Sequence, residues 1–157
     1  MFTKAEYAHY FQMISEKEQA MVFALERLIP SVSDAALSSM LESILQEELA
    51  HNKLVCELVD RVMNPPSEAR MQSRTHILGE ARLQPTAGGD NISAHTLDYS
   101  LGGVCVELAV PLQIGDCFDV TAKFYESRNK VDRRVRVSWC KQAGPNRYRA
   151  GLAFEEA

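Results

Sequence analysis

The first 63 residues contain no glycine and a single proline, Pro30. A stretch so poor in both has little to interrupt a helix beyond the one break at Pro30. The chain has no apolar run near the ~20 residues needed to cross a bilayer. Its start, Met1 to Tyr10, carries Lys4, Glu6 and His9 and lacks the apolar stretch and small-residue cleavage site of a signal peptide. A cytoplasmic protein without membrane insertion is therefore expected. The four cysteines, Cys56, Cys105, Cys117 and Cys140, form no CxxC pair and no zinc-ligand spacing. Three of them lie in strand-like apolar runs, where a thiol packs as a small hydrophobe. Positive charge is also scarce at the start: residues 1–64 hold five Lys and Arg against ten Asp and Glu. An acidic half of this kind argues against nucleic acid as its partner. Residues 65–157 hold twelve basic against eleven acidic side chains, with basic groups gathered at Arg70/Arg74 and from Arg128 to Arg136. That distribution suits a small anionic ligand.

Apolar residues in the first half recur at helical spacing, from Phe11 and Ile14 through Val22 and Leu25, then from Leu37 and Leu41 through Leu45 and Val55 to Val62. Pro30 supplies a stop, and Ser31, Ser33 and Asp34 supply oxygens able to accept from the free N–H groups of a new helix start. The pattern predicts a helix from about Thr3 to Ile29 and a second from about Ser33 to Met63. Together they form an antiparallel hairpin over residues 1–63. Two helices bury one face each, and the apolar stripe here is wider than that. Self-association is expected, two hairpins making a four-helix bundle.

Asn64-Pro65-Pro66-Ser67 reads as a linker, residues 64–69, because Pro-Pro cannot continue a helix. Beyond it the period becomes two. Ile77–Leu83, Gly103–Leu108, Phe118–Phe124 and Val135–Trp139 alternate or run apolar, and all eight glycines lie here. Turn signals stand at Ala87-Gly88-Gly89-Asp90, Ile114-Gly115-Asp116 and Ala143-Gly144-Pro145-Asn146. The fold class expected is α+β: a helical hairpin followed, over residues 70–157, by an antiparallel barrel of six or so strands.

Two elements carry chemistry. Arg70-Met71-Gln72-Ser73-Arg74 is an RxxxR, and Asp98-Tyr99-Ser100-Leu101-Gly102-Gly103 is a DxSxxG that the pattern places at the entrance to a strand. Two guanidinium forks can clamp phosphates or pair with the O6 and N7 edge of guanine, and they stack on purine rings. A carboxylate such as Asp98 suits the opposite guanine edge, which displays N–H donors. Ser100 adds a hydrogen bond, and Gly102 and Gly103 admit a flat ligand close to the backbone. Either element alone would suit a solvated linker or an ordinary turn.

In this order, the two motifs resemble the PilZ family, whose signature is RxxxR followed by (D/N)xSxxG. Leu112-Gln113-Ile114-Gly115-Asp116, Val135-Arg136-Val137-Ser138-Trp139 and Tyr148 to Phe154 extend the similarity over residues 68–156. The resemblance implies a cyclic di-GMP receptor. Arg70 and Arg74 would hold phosphates and guanine, Asp98 and Ser100 would read a guanine edge, and Gly103 would allow close approach. Ala69 stands where many relatives have another arginine, a position associated with one bound ligand or a stacked pair. Trp139 and Tyr99 read as packing residues. No nucleophile stands beside a base and no carboxylate pair is placed for hydrolysis, so a binding module with an unidentified downstream protein partner is expected rather than an enzyme. A nucleotide-independent PilZ-like adaptor is the plainer alternative.

The helices hold a second signal. Glu48 and His51 form an ExxH, and both fall on the apolar stripe, as does Glu18 on the first helix. A carboxylate on a seam is costly unless paired or bound to a cation. A Glu on one helix and an ExxH on the next resemble half of a ferritin-like di-iron site, completed in that superfamily by a second helix pair. This gives a competing reading: a protein binding two iron or other divalent metal ions, regulated by its barrel. A Glu–His pair that merely sets helix register accounts for the same residues.

Overall fold

Thr3 and Glu6 start the first helix by capping each other. The Thr3 hydroxyl accepts from the Glu6 N–H at 3.3 Å, and the Glu6 carboxylate accepts from the Thr3 N–H at 2.7 Å. That backbone N–H, with the Thr3 hydroxyl, holds the Glu6 carboxyl below the usual carboxylate range. The computed structural model describes residues 3–63, 74–127 and 129–155. Helix α1 is Lys4–Leu28, a single 3₁₀ turn over Ile29–Ser31 contains Pro30, and α2 is Ala35–Met63. Asp34 caps α2, its carboxylate accepting from the Leu37 N–H at 2.8 Å. The hairpin expected from the sequence is present, its helix ends displaced by one or two residues. The linker assigned to 64–69 lies outside the described residues. No helix is long and apolar enough to cross a membrane among the residues described.

The seam between α1 and α2 is less apolar than its periodicity suggests. Val22, Leu25, Leu45 and Leu49 are buried, but so are Ser15, Gln19 and Asn52. These polar groups satisfy one another. Gln19 Nε2 donates to Ser15 Oγ at 3.2 Å, Asn52 Nδ2 donates to the Ser15 carbonyl at 3.3 Å, and Cys56 Sγ lies 3.3 Å from Ser15 Oγ. Ile14, Met21, Leu37, Met40, Ile44 and Leu54 remain exposed. The stripe is thus split: one edge closes the hairpin, and the other faces outward.

The second unit is a closed barrel in which every strand has two neighbours, in the order β1-β2-β3-β6-β5-β4. The strands are β1 Thr75–Pro85, β2 Ile92–Ser100, β3 Gly103–Leu108, β4 Cys117–Phe124, β5 Lys130–Gly144 and β6 Arg147–Phe154. All pairings are antiparallel. Closure removes the exposed edges of an open sheet. Inward residues include Leu83, Val106, Val135, Val137, Ala150 and Leu152, each at most 2% exposed. Asn146, at φ 50°, makes the tight turn from β5 into β6, and Asn tolerates that region better than most residues.

One strand was not legible in the sequence. The DxSxxG does not simply enter a strand. Asp98 and Ser100 end β2, Leu101 and Gly102 turn, and Gly103 begins β3. The β2 alternation is hidden by a bulge. Thr96 faces Val106 and Asp98 faces Cys105, so Leu97 is an extra residue. On the other side of β2 the register with β1 jumps from His76↔Asp98 to Gly79↔Thr96. The carbonyls freed there are taken up: Thr96 Oγ1 donates to the Ile77 carbonyl at 3.1 Å, and the Tyr125 N–H donates to the Leu78 carbonyl at 2.9 Å.

Trp139 is the only tryptophan and lies in the barrel, so its emission follows barrel unfolding alone. Thr96→Val keeps the shape but leaves the Ile77 carbonyl without its donor, and should cost about 1–3 kcal/mol in urea unfolding followed by that emission. A Cβ on Gly103 would meet the Leu152 carbonyl oxygen at 2.2 Å. Gly103→Ala should therefore destabilise the barrel by a similar ~1–3 kcal/mol through forced strand displacement. An unchanged midpoint in either variant would contradict these assignments.

Candidate functional site

The bulge at Leu97 decides which way the end of β2 points. Thr96 is fully buried, Leu97 is buried as well, and Tyr99 packs against the core with its ring edge-on to Phe124 at 5.5 Å. Asp98 and Ser100 are left on the outer face. Arg74 stands immediately before β1, and Asp98 pairs in register with His76 two residues further on. Arg74 Nη1 lies 3.6 Å from Asp98 Oδ1. The carboxylate side chain is 17% exposed and the arginine 47% exposed. At that separation the pair attracts without a close hydrogen bond, so the guanidinium can turn toward another anion at little cost.

Ser100 closes the hairpin turn. Its hydroxyl accepts from the Gly102 N–H at 3.3 Å and donates to the Gly103 carbonyl at 3.4 Å. Gly103 has a packing duty of its own, since its missing Cβ is the space taken by the Leu152 carbonyl. The structure thus brings Arg74, Asp98, Ser100 and Gly103 together at one end of β2 and β3. Arg70 lies outside the described residues.

Asp98 continues a row across the outside of the barrel. It pairs with Cys105 on β3, Cys105 with Gly151 on β6, and Gly151 with Trp139 on β5. Trp139 lies over Gly151: a Cβ there would sit 2.1 Å from the indole Nε1. A bulge at Ser138 puts the indole on this face. Trp139 is a packing residue, as expected, but it packs against the outside of the sheet. Cys105 is buried within the row, and burial, reinforced by the Asp98 carboxylate, pushes its thiol up to about 12. The adjacent row holds Glu107 and Arg149, joined at 2.9 Å, with Arg147 at 4.0 Å from the same Glu107 oxygen. Arg149 and Arg147 stood in the sequence only as part of a strand match. Their convergence on Glu107, 42 residues from Arg149, is a long-range pairing with no local signal. A shallow groove on β4, β1 and β2, lined by Glu80, Arg82, His95 and Lys123 among others, contains neither Asp98 nor Ser100.

In the helical unit, Glu18, Glu48 and His51 also converge. One ligand atom from each lies within 4.8 Å of the others. The contact with Glu48 raises the Glu18 carboxyl above its usual range; burial and the Glu48 charge add to this, and His51 opposes it.

The barrel region is similar to known proteins. The PilZ domain family model matches residues 68–157. The PilZ domain with c-di-GMP of YcgR from Escherichia coli is similar at 15% identity over 55% of this chain and 78% of that one, with a TM-score of 0.46. The inhibitor of motility MotI/DgrA of Bacillus subtilis is similar at 18% identity over 57% of this chain and 44% of that one, with a TM-score of 0.48. MrkH from K. pneumonia in its apo state is similar at 16% identity over 59% of this chain and 44% of that one, with a TM-score of 0.45. The matches thus span less than half of the MotI and MrkH chains. No curated protein matches the chain. The family model covers more than half of the sequence, including both motifs and all six strands, and the chain belongs to the PilZ domain family.

Proposed function

We propose that this protein is a cyclic di-GMP receptor without catalytic activity of its own. The single observation that carries the reading is the placement of Arg74 at 3.6 Å from Asp98 on the outside of a PilZ-family barrel, beside Ser100. The partly exposed guanidinium is available to phosphate or to the O6 and N7 edge of guanine. Asp98 accepts from the N–H donors on the opposite guanine edge once Arg74 turns to the ligand. Arg70, four residues earlier, adds the second fork. The c-di-GMP named for the YcgR domain is the ligand class this chemistry would take. Ala69 bears on whether one dinucleotide or a stacked pair is held.

The arginine segment directly follows the residues joining helices to barrel, so ligand gripped by it favours one arrangement of the two units. A receptor of this kind signals through the difference in ligand affinity between arrangements. The output is a changed surface for a downstream protein. The outward apolar edge of the hairpin, with Ile14, Met21, Leu37, Met40 and Ile44 exposed, favours association with a second copy of the chain.

Calorimetric titration of cyclic di-GMP into the full chain should give binding that Arg74→Ala weakens at least ~30-fold, equivalent to about 2 kcal/mol. Arg70→Ala should weaken it comparably. A folded wild type that gives no heat and no displacement of a labelled ligand sinks the receptor reading. Asp98 and Trp139 are three strand spacings apart, about 14 Å at ~4.8 Å each. Ligand on this face should therefore change Trp139 emission on the same concentration scale as the heat. Binding with unchanged emission would move the ligand away from the outer row.

A further inference from the structure

The helical unit carries a second constellation that the nucleotide does not use. Glu48 and His51 are three residues apart on α2 and share a face. Glu18 on α1 meets them, so that one oxygen or nitrogen from each lies within 4.8 Å of the others. The other helical positions on this seam are arranged differently. Gln19 and Asn52 donate amide N–H groups to Ser15.

A separate observation points to a missing partner. Glu18 Oε2 is sealed from solvent and takes no hydrogen bond among the described residues. A carboxylate oxygen in that position is costly unless it meets a proton or a cation. The Glu48 carboxylate and the His51 imidazole lie within 4.8 Å of the Glu18 carboxylate, so two carboxylates and one imidazole face one another. Imidazole nitrogen and two carboxylate oxygens form a ligand set for zinc and its first-row neighbours, at ~2.0–2.2 Å per bond. Ligands around a tetrahedral ion stand ~3.4 Å apart at such bond lengths, which small rotations of three side chains reach from the present spacing.

From this convergence we infer that Glu18, Glu48 and His51 bind one divalent first-row transition-metal ion per chain. The helix pair supplies three ligands and leaves the remaining positions to water or to another molecule. The ion joins α1 to α2 near the middle of the hairpin. It also brings positive charge to the two facing carboxylates. This site is independent of the nucleotide face and stands or falls without it.

The test uses the full chain stripped with chelator and dialysed against Zn²⁺ at neutral pH. One Zn²⁺ per chain is expected, with a rise in the temperature at which helical circular dichroism is lost. Glu48→Gln and His51→Ala should each weaken binding by about 10- to 100-fold, at least the loss seen for supporting contacts of metal sites. His51 is exposed, so its replacement leaves the fold intact and the comparison valid. Co²⁺ used as a second probe should give weak visible bands without the intense thiolate absorption that cysteine ligation produces. Absence of bound Zn²⁺ overturns the proposal. So does Zn²⁺ retained at equal affinity in His51→Ala and Glu48→Gln, or a Co²⁺ spectrum dominated by thiolate.

Discussion

Leu97 is one residue too many for the ladder between β2 and β3, and the outer face of the barrel follows from how that excess is absorbed. A regular strand would alternate through Thr96, Leu97 and Asp98, and burying Thr96 would bury Asp98 too. With Leu97 inserted as the extra residue, the alternation resets, and Asp98 and Ser100 come out while Tyr99 packs on the core. The partner strand gives way at the same height, between His76 and Gly79, which places Arg74 within reach of Asp98. The Thr96 hydroxyl makes the irregularity tolerable by occupying the Ile77 carbonyl. A buried threonine in an otherwise apolar core is thus part of what aims Asp98 and Ser100 on the opposite face.

The helical unit obeys a different constraint. A hairpin of two helices offers a narrow interior, and here part of it is spent on Ser15, Gln19, Asn52 and Cys56. Their mutual hydrogen bonds hold in one register only, since sliding one helix by a turn would strand several buried polar atoms. Specificity of alignment is gained where apolar contact would have been indifferent. The same alignment sets Glu18 opposite Glu48 and His51. Apolar residues displaced from the seam lie on the outside, as at Ile14 and Ile44.

Local signals carried much of this fold. Pro30 and Asp34 marked the helix break and its cap, and the glycine-bearing turns marked most strand ends. The expectation of a six-stranded barrel stood on alternation at β1, β3, β4 and β5, and β6 was marked only by its family resemblance. Strand β2 escaped because its core positions are Ala94 and Thr96, neither strongly apolar, and because Leu97 breaks the period. Arg74, Asp98 and Ser100 were legible as motif residues. What the sequence could not reveal was the face they share with Trp139, which depends on bulges in two different strands. The Arg149–Glu107 pair was hidden for a related reason, because pairing across 42 residues leaves no mark at short range. Gly103 looked like space for a ligand, and is first of all space for the backbone of β6.

Cys105 is the buried member of the outer row, between Asp98 and Gly151. Oxidants such as peroxide attack the thiolate, and a thiol raised to about 12 holds only ~1 part in 100,000 of that form at neutral pH. Burial closes the remaining route of access. A sulfur at the centre of the face is therefore shielded from oxidants, and this row keeps its chemistry under conditions that would modify an ordinary surface cysteine.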